Sequence, residues 1–249
     1  MERATIGYLI NEAAKARANG SLTKARRFLS RALEIDPDNL LAMRDMAVVI
    51  SDSGKNVSGA SSREYFMEAV SLYKKILHKN PNDSAAWGNM ANVLTDLGDY
   101  KEALKCYDRA IKLKPDDWLF VMNKGMAYVD LRDKKGAKKF LTKVPSLLPK
   151  EFGDLPSARV FYNMGVGLMG VGEPELALSY FEKSIKFNPR YPEAWQNRGM
   201  MYMRIRHNPA WKKHARESFL KARDLAKKAY NDTVIKKAEM ALELLGKQS

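Results

Sequence analysis

Apolar residues between positions 84 and 117 fall into two stripes. The stretch reads SAAWGNMANVLTDLGDYKEALKCYDRAIKLKPDD. Counting Ser84 as position 1, Trp87, Met90, Ala91 and Leu94 stand at positions 4, 7, 8 and 11. That spacing puts four side chains on one face of a helix. Ala103, Tyr107 and Ala110, at positions 20, 24 and 27, form the matching face of a second helix. Between them Leu97-Gly98-Asp99 supplies a glycine that can take positive φ and end the first helix. Pro115 stops the second, because proline disfavours helical geometry in the residue before it. The pattern predicts a 34-residue helix hairpin.

The same register recurs along the chain. Units are expected over residues 6–39, 40–83, 84–117, 118–151, 158–191 and 192–229. Position 8 is small at Ala91, Gly125, Gly165 and Gly199, and position 20 is Ala25, Ala69, Ala103, Ala137, Ala177 and Ala215. Small residues at these two points let the paired helices approach closely. Two units carry insertions at the turn between their helices. The second holds the extra segment GKNVSGASSR from Gly54, expected to be a mobile loop. The sixth is lengthened before Ala215, where Asn208-Pro209 reads as an N-cap and first-turn proline of a long helix. Residues 152–157 are expected to be a short connector. In the tail, residues 231–246, Val234, Ala238, Ala241 and Leu245 share one face, as a helix capping the last apolar surface should.

Small and large positions alike, the repeat resembles the tetratricopeptide repeat, and the register covers nearly the whole chain. The resemblance implies an all-α fold, a right-handed α-solenoid superhelix of helix pairs forming a single domain over 1–249. It also implies a concave wall built from the first helices, chiefly their positions 2, 5, 6, 9, 12 and 13. Position 6 reads Asn11, Asp45, Asn89, Asn123, Asn163 and Asn197, with Asn92 at position 9 of the third unit. This amide row is similar to the asparagine ladder of the O-GlcNAc transferase repeat domain, where amides hold an extended peptide. An amide offers donors and an acceptor to a peptide bond; local hydrogen bonding between neighbouring repeats is the competing use. The later wall carries Met122, Met126, Tyr162, Val166, Met169, Met200 and Met203, the adaptable apolar surface of a helix or peptide binder. The earlier wall is polar, with Arg44, Asp45, Asp52, Asn92 and Asp96. A C-terminal helix folding back to fill the apolar half is an alternative. The Lys, Asn and Arg set with which chaperone adaptors of the family clamp a terminal carboxylate is present only in fragments.

Charge adds a second surface. The chain carries 43 Lys and Arg against 29 Asp and Glu, a net of +14. Eleven of the basic residues fall between Arg204 and Lys237, against Glu217, Asp224 and Asp232. Arg204, Arg206, Lys212, Lys213 and Arg216 therefore make a candidate patch for an acidic partner or nucleic acid. Few aromatic residues interleave with these runs, which weighs against nucleic acid.

Chemistry has little to work with. His78, His207 and His214 have no cysteine or acidic partner at metal-ligand spacing, and Cys106, the single cysteine, sits inside a helix. No stretch reaches the ~20 apolar residues of a membrane span. The sequence thus predicts a soluble, cytoplasmic, non-catalytic scaffold or adaptor. It is expected to need no cofactor or metal and to bind a protein or peptide in its groove. Binding of acidic partners or nucleic acid through the basic surface, and self-assembly, stand as alternatives.

Overall fold

The structure, a computed structural model, describes residues 2–149, 151–207 and 209–247, with side chains from Ala4 onward. Among these residues the chain is all-α and contains no strand. The helices are α1 Glu2–Ala18, α2 Leu22–Ile35, α3 Leu40–Lys55, α4 Ala60–Lys79, α5 Ser84–Asp96, α6 Tyr100–Leu113, α7 Trp118–Asp130, α8 Lys134–Leu141, α9 Asp154–Gly170, α10 Pro174–Phe187, α11 Pro192–Arg204, α12 Trp211–Lys228 and α13 Asp232–Gly246. A single 3-10 turn spans Val144–Ser146. Two compact units divide the chain, Met1–Ala127 and Tyr128–Ser249, and the boundary falls within α7. Each is a stack of helix hairpins, the architecture of an α-helical repeat solenoid.

The small positions act as the spacing requires. All six alanines at position 20 are fully buried. A Cβ on Gly165 would lie 2.7 Å from the ring of Phe181, and one on Gly199 would lie 2.8 Å from that of Phe219. In these two repeats position 8 is thus small because the aromatic ring at position 24 occupies the space. The turn glycines Gly20, Gly98 and Gly172 all take positive φ, and Arg132, at the same register position in the fourth repeat, does so at +57°. Asn39, Asp83, Asp99, Asp133 and Asn231 cap the helices that follow them through side-chain oxygens. Trp87 Nε1 donates to the Pro81 carbonyl at 2.8 Å and Trp195 Nε1 to the Pro189 carbonyl at 2.9 Å. In both cases the first helix of a repeat is pegged to the end of the repeat before it.

Four local expectations are corrected. The second-repeat insertion is mostly helix: α3 runs to Lys55, α4 starts at Ala60, and only residues 56–59 link them. Gly54 is buried inside α3, a Cβ there would sit 2.9 Å from Phe66, and Ser62 Oγ donates to the Gly54 carbonyl at 2.8 Å. Packing of Phe66 against that glycine orders both added helical turns. The second helix of the fourth repeat, α8, is only 8 residues long. Pro145 removes a backbone donor and clashes with the preceding turn, so the chain continues as the 3-10 turn. The expected connector is partly helical, since α9 begins at Asp154 with Pro156 in its first turn, where no N–H is required. In the sixth repeat α12 starts at Trp211 behind Ala210, two residues after Pro209. Its length, 18 residues, agrees with expectation, whereas the N-cap read at Asn208 lies outside the described residues.

Candidate functional site

The position-6 amides are largely engaged inside the protein. In the N-terminal unit Asn89 hydrogen-bonds the Tyr73 hydroxyl. Asn123 Nδ2 donates to Asn92 Oδ1 at 3.0 Å, and the same oxygen accepts from the Tyr107 hydroxyl at 2.6 Å. In the C-terminal unit Asn197 is buried and donates to the Tyr162 hydroxyl at 3.3 Å. Tyr162 packs on Tyr191 with ring centroids 4.8 Å apart. Burial raises the pKa of both tyrosines, that of Tyr191 to about 12, so both hydroxyls stay protonated. Only Asn163 and the exposed Asn11 make no hydrogen bond among the described residues. Asp45 is half-buried, and that desolvation pushes its carboxyl above the ordinary value against the pull of Arg44 and Arg17.

Charges on the early wall are paired as well. Arg44 meets Asp83 at 3.2 Å, Arg17 meets Asp52 at 2.6 Å, and Lys55 meets Asp96 at 3.2 Å. Met122 and Met126 are half-buried on α7 in this unit.

The C-terminal unit holds an apolar groove of about 440 Å³ between α9, α11, α12 and α13. Met169, Met200 and Met203 line it from α9 and α11. Phe219 of α12 forms part of its lining, and Met240, Ala241 and Leu244 line it from α13. Three polar residues complete it, Gln196, Asn197 and Lys237. Met240 is 65% exposed and Leu244 51% exposed, so the capping helix leaves the groove open and supplies one of its walls. Of the residues expected to form a binding wall, Met169, Asn197, Met200 and Met203 come together here. Tyr162, Asn163 and Val166 lie on α9 in the same unit without lining the groove. Lys237, Met240 and Leu244 were missed as wall residues, although with Ala241 of the cap face their i, i+3, i+4, i+7 spacing forms a second stripe.

The basic candidates are surface residues at the start of α12 and the end of α11. Arg206 folds back, donating Nε to the Met203 carbonyl at 3.1 Å with its guanidinium over the Trp211 ring. Lys212 also lies over Trp211. Arg204, Lys213 and Arg216 are exposed and without an acidic partner among the described residues. Cys106 is buried, and desolvation raises its thiol to about 12, a packing residue and not a nucleophile. His214 packs against Tyr202 with tilted rings 5.0 Å apart, and its buried Nδ1 has no hydrogen bond and lies 3.9 Å from Glu217 Oε2. No group of metal-binding side chains occurs among the described residues, and no described helix is long and apolar enough to cross a membrane.

Stacked hairpins, with an apolar groove in the C-terminal unit, define a helical-repeat protein. Two family models for the tetratricopeptide repeat match residues 84–117 and 120–147. The chain is a tetratricopeptide-repeat protein. It is 28% identical over 164 residues to the human protein O-mannosyl-transferase TMTC3, covering 62% of this chain and 17% of that one. It is 22% identical over 250 residues to the CTR9 homologue of Arabidopsis thaliana, covering 87% of this chain and 22% of that one. The chain therefore spans about a fifth of the length of these curated relatives. Among solved structures, the TPR protein YrrB, described as having an unusual peptide-binding site, aligns with a TM-score of 0.60. It is 20% identical, over 85% of this chain and 97% of that one. Cut9, in the Cut9–Hcn1 assembly of the APC/C, aligns with a TM-score of 0.69 at 14% identity, over 94% of this chain and 42% of the other. At these identities the structural matches establish the fold. Proteins with this repeat are generally protein-interaction scaffolds.

Proposed function

We propose that this protein is a non-catalytic scaffold that binds a partner segment in the groove between α9, α11 and α13. The observation that carries this reading is the pair Met240 and Leu244, more than half exposed opposite three wall methionines. Large apolar side chains that gather along a concave site mark a binding surface, as singly exposed ones such as Leu155 and Tyr230 do not. Methionine suits the role, since an unbranched thioether refits to varied apolar partners. The amide ladder supports the wall more than it offers contacts, because Asn89, Asn123 and Asn197 are already bonded.

Methyl-labelled methionine NMR tests this directly. Peptides selected from a random display library against the full chain should shift the methyl signals of Met169, Met200, Met203 and Met240. Met240→Glu should abolish those shifts while the remaining methyl spectrum stays folded, because the side chain is exposed. Shifts centred on Met122 and Met126 would move the binding site to the N-terminal unit.

A further inference from the structure

Resting on the groove reading above, we infer that the groove's occupant is an acidic amphipathic helix of a partner protein. Two properties of the walls select it, one reading the backbone and the other the charge.

An extended peptide leaves a row of main-chain donors and acceptors that the receptor must satisfy. These walls hold too few polar groups to satisfy such a row. Asn197 is 7% exposed and its amide is held by Tyr162. Gln196 is equally buried, with Nε2 directed at the Met200 sulfur at 3.9 Å. The other liners are apolar apart from Lys237. An occupant must therefore bond its own backbone, which a helix does, and present an apolar stripe to the methionines.

Charge then selects among helices. Lys237 is exposed on the groove, with no acidic partner among the described residues, and its chain neighbour Lys236 and Arg204, next in sequence to the liner Met203, are in the same condition. Glu193 of α11 accepts from Asn231 Nδ2 at 2.7 Å, Glu243 of α13 pairs with Lys247 at 2.5 Å, and Lys237 is the charged residue that lines the groove. Charge is also unevenly distributed between the units. The C-terminal unit has 24 Lys and Arg against 13 Asp and Glu, a net of +11, whereas the N-terminal unit nets +3. Unpaired cations beside an apolar groove on a strongly positive unit complement acidic residues on the occupant's polar face.

The test uses three fluorescent peptides of about 18 residues, each with the same Leu and Met stripe at helical spacing. One carries Glu on its polar face, one carries Lys, and one is the Glu peptide with a central proline. Anisotropy against the full chain at about 0.15 M salt should show the Glu peptide binding at least ~10-fold more tightly than the Lys peptide. The proline peptide should lose at least ~10-fold, and Lys237→Glu should narrow the gap between the charged pair. Equal binding of both charges, lost in Met240→Glu, would overturn the acidic partner while leaving the groove in place. Undiminished binding of the proline peptide would overturn the helix. No binding by any of the three would overturn both the inference and the groove reading beneath it.

Discussion

Arg132 shows how a single residue records the repeat. It stands where Gly20, Gly98 and Gly172 stand in other repeats, and it takes the same left-handed conformation at φ +57°. A side chain there costs about 1–2 kcal/mol, while glycine's extra freedom when unfolded offsets about 0.5–1 kcal/mol. Arg132→Gly should therefore stabilise the protein by roughly 0.5–1 kcal/mol, read from urea unfolding. Gly199 should behave in the opposite way. Alanine is the better helix former by about 1 kcal/mol, but its Cβ would meet the fully buried Phe219 ring at 2.8 Å. Overpacking of about 1–3 kcal/mol wins, so Gly199→Ala should lower the melting temperature. Asp45 carries a sign that depends on pH. Its folded-state pKa is raised by burial, so the ionised form opposes folding and protonation relieves the penalty as pH falls. Asp45→Asn should stabilise the protein at neutral pH, with the gain vanishing below the carboxylate range in thermal melts across pH.

At the scale of elements, the hairpins were legible because each repeat restates the same steric pairing of a small position 8 with a large position 24. The departures came from residues whose effect is tertiary or local to one repeat. Gly54 to Ser62 holds two glycines and three serines in nine residues, which reads as a loop, yet Phe66 packs on Gly54 and draws the segment into α3 and α4. Pro145 shortens α8 inside an otherwise regular register. Phe66→Ala should remove that pin at a cost of about 3–5 kcal/mol and turn the segment into a protease-sensitive loop. Limited proteolysis should cut the variant between residues 54 and 62 while the parent resists there; equal cutting of both would contradict the packing account. The groove was half legible. Its α9 and α11 wall follows from the repeat register, whereas α13 belongs to no complete repeat, and its cap stripe hid the second stripe of Lys237, Met240 and Leu244.

For the whole molecule, the division of charge between the two units separates attraction from grip. The basic residues of α12 act at a distance, so Lys212, Lys213 and Arg216 changed to Glu should slow association of an acidic partner several-fold and flatten its salt dependence. The off-rate should change little, in stopped-flow or surface-plasmon measurements. In the proposed function, grip belongs to the methionine groove, while the bonded asparagines hold the scaffold. The decisive measurement is calorimetry with one ligand selected against the full chain, on Met240→Glu and on the double variant Asn89→Ala with Asn123→Ala. Met240→Glu should weaken binding by roughly 10- to 100-fold, the loss of one well-packed apolar anchor and the burial of a charge, with an unchanged melting temperature. The asparagine variant should keep its affinity and melt lower, since the Tyr73 hydroxyl and the Asn92 carbonyl each lose a partner at about 1–3 kcal/mol. Affinity retained in Met240→Glu and lost in the asparagine variant would contradict the account and place recognition on the amide ladder.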